Sequence, residues 1–233
     1  VEGLIAAGSV TILFGEPGSK KTYAMLDLSV CLALGEAWLD FKAKQVNTLY
    51  IDEESGTSRL KARIRQVIQG HGGVKEIPLH FLSQEILNCK DDHDMEDLRK
   101  CIVNHDVQFV VIDALVDVSD GADENSVKEM QPIMTNIRRI AEETGAAFVV
   151  VHHSNKNGGY RGSSALKAAV DLLLKVESEG SSPMMTFEVK KSRDSDPIEF
   201  GAEADFSEGQ FSLESADPGV MKRFNEFGKA QRH

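Results

Sequence analysis

The sequence predicts an α/β domain in which helices flank a mostly parallel central sheet, and antiparallel strands extend that sheet near the C-terminus. Apolar runs rich in β-branched residues alternate with segments of helical spacing until about residue 176. These runs lack the period-two alternation of half-exposed strands, so we expect them to be buried on both faces. Short alternating runs separated by Ser, Gly, Asp and Pro then replace this pattern.

Four apolar runs form the predicted centre of the sheet, and helical segments lie among them. The strands are predicted at 10–14, 46–52, 109–113 and 147–152. The helices are predicted at 21–34, 58–69, 94–104 and 126–144. Gly145 follows the last helix as a C-cap, and Pro132 predicts a kink or a restart within it.

The C-terminal part of the chain differs in pattern. An apolar run at 170–176 precedes shorter alternating runs, which predict antiparallel strands at 184–189, 198–204 and 210–213. We divide the chain into one domain, 1–214, and a tail, 215–233. The tail is expected either to dock as a helix or to order only against a neighbour, using its apolar residues Val220, Met221, Phe224 and Phe227.

The composition is typical of one large domain with a substantial core. The chain has 233 residues, of which 41% are hydrophobic and 27% are charged. No apolar run is long enough to cross a bilayer, and the first residues lack the zones of a secretory signal. We therefore expect a cytoplasmic protein. Little sequence precedes the first predicted strand, which suggests a piece of a longer protein.

Charge and cysteine content restrict the function further. The formal net charge of −11 argues against non-specific nucleic-acid contacts over the whole surface, so any such site must be local. Cys31, Cys89 and Cys101 cannot form a closed disulfide framework, and we expect them to be reduced.

Two cysteine–histidine pairs raise the question of a zinc site. Cys89 and His93 have the same spacing as Cys101 and His105. The alternative is a single helical face formed by Leu98, Cys101, Ile102 and His105. We prefer this structural interpretation.

A glycine-rich loop joins the first predicted strand to the first predicted helix. It reads Gly15-Glu16-Pro17-Gly18-Ser19-Lys20-Lys21-Thr22, close to the phosphate-binding pattern GxxxxGK[ST]. Glycines let backbone amides turn toward phosphate oxygens, Lys21 can reach the outer phosphates, and Thr22 can hold magnesium. We assign this P-loop, with Tyr23 after it, to ATP and Mg²⁺ binding. The alternative is a lysine-rich turn that caps a helix and binds nothing.

The P-loop departs from the pattern at one position. Lys20 stands where the second glycine is usual. A backbone amide remains there, and we expect the side chain to be tolerated provided that the loop needs no positive φ at this residue.

A second apolar strand ends in an acid. Phe109-Val110-Val111-Ile112-Asp113 is typical of a Walker B strand, which would place Asp113 near the magnesium ion at the carboxyl edge of the sheet. Many buried strands end in Asp for solubility alone, and the P-loop upstream favours the functional interpretation.

The second predicted strand and the turn after it read Leu49-Tyr50-Ile51-Asp52-Glu53-Glu54-Ser55, and Arg59-Leu60 and Arg63-Ile64 follow. This segment is similar to the RecA-like ATPases that include RepA-type hexameric replicative helicases and AAA_25-like ATPases. The resemblance implies a catalytic base at the end of the second strand, which polarises the attacking water. The register assigns this role to Glu54, with Glu53 as the fallback. An ordinary acidic helix start is the alternative.

Three later segments resemble the same family. Val151-His152-His153-Ser154-Asn155-Lys156 resembles its sensor strand, which makes His153 the sensor of the terminal phosphate; a histidine pair that satisfies strand-end hydrogen bonds is the alternative. The loop from Tyr160 to Leu166 resembles the segment that lines the channel of ring helicases. Lys190-Lys191-Ser192-Arg193 resembles a Lys-x-Arg finger, which places Lys191 and Arg193 at a neighbouring subunit's nucleotide. A solvated hairpin turn is the alternative.

The resemblance implies an ATP-hydrolysing, ring-forming motor, a hexameric helicase or replication protein that acts on single-stranded DNA. Local phosphate contacts would come from Lys156, Arg161 and Lys167, and Tyr160 would offer an aromatic platform. Two alternatives remain: a KaiC-like or RadA-like regulatory or recombination ATPase that unwinds nothing, and a low-turnover module that contributes oligomerisation. A small-molecule kinase is disfavoured, since Glu54 and His153 suit water better than an acceptor hydroxyl.

Overall fold

The computed structural model describes residues 1–73, 76–154, 164–178 and 180–219. Its strands are β1 Val10–Gly15, β2 Asn47–Asp52, β3 Leu79–Ser83, β4 Val107–Asp113, β5 Ala147–His153, β6 Leu172–Glu177, β7 Met184–Ser192, β8 Glu199–Asp205 and β9 Ser212–Ala216. Its helices are α1 Lys21–Leu34, α2 Thr57–Gly70, α3 Asp92–Asn104, α4 Val127–Thr144 and α5 Ser164–Ala169.

All nine strands form one sheet in the order β3-β2-β4-β5-β1-β6-β7-β8-β9. The strands from β3 to β6 in this order are parallel, and β7, β8 and β9 continue the sheet antiparallel. The carboxyl ends of the parallel strands therefore meet at one edge, where ligands bind in open α/β sheets. The predicted fold class is confirmed.

The parallel sheet is covered on both faces, as the apolar runs predict. Helices α1 and α2 cover one face, where Leu13 and Tyr50 are buried. Helices α3 and α4 cover the other face, which takes up Ile12 and Phe14. Successive residues of β1 thus enter opposite cores, which explains why this strand shows no polar alternation.

Helix ends follow the local capping chemistry. The Asp91 side chain caps α3 by accepting from two backbone amides, and Ser126 caps α4. Gly145 ends α4 in the left-handed region with φ 73°, so the predicted C-cap is confirmed. The expected restart at Pro132 does not occur, because α4 runs through this residue as one helix.

The edge strand β3 is absent from the sequence-based prediction. All five of its residues are at least partly exposed, and its short run mixes Leu and Phe with His and Ser. Its backbone pairs with β2, so a neighbour in space rather than an apolar run defines it. β9 crosses the boundary predicted at 214/215, and residues 220–233, which hold the apolar residues of the tail, lie outside the described residues.

Both cysteine–histidine pairs lie on or next to α3. Leu98 and Ile102 face the core from α3, and His105 is its C-cap. Within the described ranges, neither Cys89 nor Cys101 belongs to a group of three potential metal ligands. None of the described helices is long and apolar enough to cross a membrane.

The end of α2 packs tightly against the antiparallel extension, which predicts sensitivity at Gly70. A Cβ atom on Gly70 would lie 1.9 Å from the Phe211 carbonyl oxygen, and the Phe211 amide donates to the Gln66 carbonyl at 2.9 Å. Gly70→Ala is expected to lower the free energy of unfolding by about 1–3 kcal/mol, as overpacking does, in a denaturant titration. Arg65→Ala, at an exposed position of the same helix, is the control. Equal stability of the two variants would contradict this packing.

Candidate active site

The P-loop leads from the end of β1 into the start of α1. Gly15 is the last residue of β1, and a Cβ atom there would lie 2.4 Å from the Val176 carbonyl oxygen, so no side chain fits. Gly18 has φ 81°, which also favours glycine. The predicted strand–loop–helix context is therefore present, with backbone amides available at the amino end of α1.

Lys21 holds its ammonium group inside the loop. Nζ donates to the carbonyl oxygens of Gly15 at 2.9 Å and Glu16 at 2.8 Å. The residue is 6% exposed, and this burial lowers the pKa of Lys21. The side chain is thus preorganised around the position predicted for the outer phosphates.

Lys20 lies in the left-handed region, with φ 61° and ψ 22°. The condition for tolerating a side chain here without strain, a loop that needs no positive φ, is therefore not met. Its Nζ donates to the Ser178 hydroxyl at 2.6 Å and the Ser182 carbonyl at 2.8 Å. Glycine is the usual residue at this position of the loop. Here the Lys20 side chain joins the loop to the turn between β6 and β7.

Asp113 ends β4 beside the P-loop hydroxyl. Its Oδ2 accepts hydrogen bonds from Thr22 Oγ1 at 2.8 Å and from the Tyr50 hydroxyl at 2.7 Å. Asp113 is 1% exposed, and burial raises the pKa of Asp113 to about 6. A hydroxyl and a carboxylate at this spacing form the hard oxygen donor set that Mg²⁺ prefers, so Thr22 and Asp113 fit the ion. When bound, the ion would neutralise phosphate charge.

The structure separates the two candidate bases after β2. The Glu53 carboxylate accepts from the backbone amides of Ile86 at 3.2 Å and Leu87 at 3.4 Å, which draws it toward the segment after β3. Glu54 is exposed, and no hydrogen bond among the described residues uses its carboxylate. The Asp52 side chain fixes this turn by accepting from the amides of Glu54 and Ser55.

Electrostatics place Glu54 near the centre of the site. Burial dominates the pKa shifts of Lys21, Asp113 and His153, and the charge of Glu54 contributes to all three. Glu54 thus has an exposed carboxylate near the P-loop, whereas the Glu53 carboxylate accepts from the amides after β3.

His153 lies next to the P-loop because β5 pairs with β1. His153 is in register with Gly15, and the Ser154 amide donates to the Gly15 carbonyl at 3.0 Å. Burial, followed by the charge of Lys21, lowers the pKa of His153, which favours a neutral imidazole. Its Nδ1 has no hydrogen-bond partner among the described residues. His152 instead directs Nδ1 toward Glu124, 3.7 Å from Oε1.

The predicted finger lies at the opposite edge of the sheet from the P-loop. Ser192, next to Arg193, pairs with Leu172, which in turn pairs with Thr11 near the start of β1. Gly15 lies four residue steps along the extended strand from Thr11, a span of about 13 Å. Arg193 therefore does not lie at its own chain's P-loop.

Contacts within the chain hold both finger residues. Arg193 forms an ion pair with Asp171 at 3.1 Å and donates to the Ala168 carbonyl at 3.0 Å. Lys191 donates to the carbonyls of Lys167 at 2.6 Å and Val170 at 2.7 Å. The two cations thus lie at the end of α5, apart from the assembled P-loop residues.

The remaining predicted residues are distributed differently. The Tyr23 ring packs against Phe206 and Phe211, between β8 and β9, and its hydroxyl donates to Gln66 of α2 at 2.7 Å. Lys167 is exposed on α5. The predicted DNA contacts Lys156, Tyr160 and Arg161 lie outside the described residues.

Sequence reasoning missed two residues of the site. Tyr50 sits in an apolar run that gives no sign of a bond to Asp113, and Asp52 looks like any strand-end acid. A polar residue inside a fully buried strand was the available signal, because a buried hydroxyl or carboxylate needs a partner.

The P-loop after β1 and the parallel sheet with its antiparallel extension define the class of protein: a P-loop ATPase with a RecA-like fold. Residues 1–159 match the AAA domain family AAA_25, and the chain belongs to that family. Membership implies the use of a nucleotide and, as is usual in P-loop ATPases, of Mg²⁺.

Curated relatives match a larger share of the chain than the family does. The chain is 29% identical over 180 residues to the DNA repair protein RadA of Halalkalibacterium halodurans, covering 76% of this chain and 35% of the relative. It is 25% identical over 202 residues to RadA of Bacillus subtilis, covering 85% and 39%. RadA of Escherichia coli is 24% identical over 198 residues, covering 82% and 37%. The chain thus spans well under half the length of these relatives.

Proposed function

We propose that this chain is the ATPase part of a RadA-like protein of DNA repair or recombination, which hydrolyses Mg-ATP between adjoining subunits and thereby changes its hold on single-stranded DNA. The observation that carries this proposal is the placement of Arg193 at the sheet edge opposite the P-loop. In a head-to-tail assembly, one subunit's Arg193 would approach the next subunit's nucleotide.

The chemistry divides between the two subunits. Lys21 and the loop amides hold the phosphates, Glu54 orients and polarises water, and neutral His153 donates a hydrogen bond to the terminal phosphate. The guanidinium from the neighbour would stabilise the charge that develops on the transferred phosphoryl group. To reach it, Arg193 must exchange its ion pair with Asp171 for the nucleotide, which makes activity depend on assembly.

The curated relatives favour a task in DNA repair. They are named DNA repair proteins, and they match this chain over 76–85% of its length. A regulatory or recombination ATPase is therefore better supported than the hexameric helicase that the sequence favoured. A hexameric RepA-type helicase stays the second candidate, supported by the predicted finger and channel loop.

A mixing experiment tests whether Arg193 acts between subunits. Phosphate release by Arg193→Ala is expected to be lower by about tenfold or more, and wild-type activity should rise more steeply than linearly with protein concentration. Mixing Arg193→Ala with Glu54→Gln should restore activity above that of either variant, because the intact arginine of one variant meets the intact base of the other. Lys190→Ala, whose partner is Glu188, is the matched control and should retain activity.

Two outcomes would contradict the proposal. Activity that is linear per chain, with no rescue on mixing, would show that each subunit works alone. If single-stranded DNA at low salt changes neither ATP hydrolysis nor assembly, the ATPase does not act on DNA. An unwinding assay on a forked duplex then distinguishes the helicase from the regulatory ATPase.

A further inference from the structure

A cluster of potential metal ligands lies away from the P-loop, between α1 and the end of α2. Asp27 and Cys31 are four residues apart on α1, so they share one face of that helix. His71 is the C-cap of α2 and faces both of them. Glu36, just after α1, contacts the outer side of the His71 ring.

The distances among these groups approach those of a tetrahedral zinc site. His71 Nε2 lies 2.9 Å from Asp27 Oδ1, and Cys31 Sγ lies 3.9 Å from Asp27 Oδ2 and 3.9 Å from His71 Nε2. Zinc bonds of about 2.0–2.3 Å at tetrahedral angles separate ligand atoms by roughly 3.3–3.6 Å. Adjustments of about half an ångström therefore convert the present contacts into coordination.

The outer contact of His71 fits the tautomer that a metal requires. Nδ1 of His71 lies 2.9 Å from Glu36 Oε2. A proton on Nδ1, donated to this carboxylate, leaves the Nε2 lone pair directed at Asp27 and Cys31. Carboxylates hold metal-binding histidines in this way, on the side away from the ion.

The burial of this cluster favours a positive charge beside the Asp27 carboxylate. The side chain of Asp27 is 2% exposed and that of His71 is 16% exposed, while Cys31 is buried. A buried carboxylate is costly without a cation beside it. A protonated His71, with the Cys31 thiol as a further donor to Asp27, would meet that need in one way. A metal ion would meet it in another, with all three groups as ligands.

We propose that Asp27, Cys31 and His71 bind a zinc ion, with water as the fourth ligand on the partly exposed side of His71. Binding would release the Cys31 thiol proton and any proton shared between Asp27 and His71. Because α1 begins at the P-loop and α2 follows Glu54, the ion would join the two helices behind the nucleotide site. This site is separate from the Mg²⁺ position at Thr22 and Asp113, and it does not depend on the proposed function.

A second cluster provides a built-in control. Asp91, His93 and Asp94 also lie close together, but they are largely exposed and include no thiol. Asp91 already caps α3, and His93 lies 3.4 Å from Asp97. A substitution in this cluster therefore controls for weak zinc binding by exposed carboxylates, which any acidic protein shows.

The test is metal binding by the full chain without nucleotide, after treatment with a chelator. We expect one Zn²⁺ per chain in a titration, and a sulfur-to-cobalt charge-transfer band when Co²⁺ replaces zinc. Cys31→Ser should abolish that band and weaken zinc binding by about tenfold or more. Cys89→Ser and His93→Gln, which remove a thiol and a histidine elsewhere, should leave both unchanged.

His71→Gln provides a second variant if Cys31→Ser does not fold. It should lose the zinc-induced rise in Tm that the wild type and Cys89→Ser show, and Glu36→Gln should weaken binding by about 10–100-fold. No stoichiometric binding by the wild type would overturn the proposal. So would a cobalt band that persists in Cys31→Ser, or zinc binding that is lost in His93→Gln but kept in His71→Gln.

Discussion

Glu54→Gln is expected to reduce ATP hydrolysis by about 10²–10⁴-fold while leaving ATP binding within about threefold of the wild type, because a missing general base affects the transition state rather than the ground state. The amide keeps the shape of the side chain but cannot accept the proton of the attacking water. Single-turnover phosphate release and fluorescent-nucleotide titration measure the two effects separately.

Glu53→Gln is the matched control for that experiment. It makes the same chemical change one residue away, on a carboxylate that accepts from the amides of Ile86 and Leu87. We expect it to weaken these hydrogen bonds, with a modest loss of stability and hydrolysis within about tenfold of the wild type. A larger loss of turnover in Glu53→Gln than in Glu54→Gln would transfer the base to Glu53.

Lys21→Met is expected to weaken ATP binding by about 100-fold, since charge-assisted hydrogen bonds contribute roughly 1.5–3 kcal/mol each. The Lys21 ammonium lies inside the loop, on the Gly15 and Glu16 carbonyls. Methionine retains much of the length of the side chain and removes its charge. Equilibrium titration with a fluorescent ATP analogue, with unfolding curves to verify the fold, measures the change.

Lys20→Gly tests the neighbouring lysine at the position where the loop departs from the pattern. Glycine removes the cost of a left-handed side chain, about 1–2 kcal/mol, and loses the two bonds to Ser178 and Ser182, about 0.5–1.5 kcal/mol each. These effects oppose each other, so we expect a small change in stability and ATP affinity within about threefold of the wild type. A loss as large as that of Lys21→Met would reverse the roles of the two lysines.

Lys20 also connects the nucleotide site to the antiparallel extension. Its backbone forms the loop, and its ammonium binds the β6–β7 turn. β7 runs from that turn to the opposite edge, where Arg193 follows it. The same strand therefore joins the P-loop side of one subunit to the edge that would face the next subunit.

The sequence by itself determined the layered fold and the position of the P-loop. Uninterrupted β-branched runs predict buried strands, and the spacing of Gly15, Lys21 and Thr22 predicts a phosphate-binding loop because that spacing is local. The apolar pattern likewise located Asp113, which lies 91 positions after Thr22 at the end of β4, a buried strand that β5 separates from β1.

Only the tertiary structure decided matters that depend on direction and on distant partners. Glu53 and Glu54 are adjacent acids, and they differ because the amides after β3 engage one of them and not the other. The strain at Lys20 depends on its φ angle, and the position of Arg193 relative to the P-loop depends on the register of β7 on β6. The cluster at His71 joins two helices whose ligands lie up to 44 residues apart. Periodicity reports which face of an element is buried, but the partner that each polar group meets is set by how the elements pack.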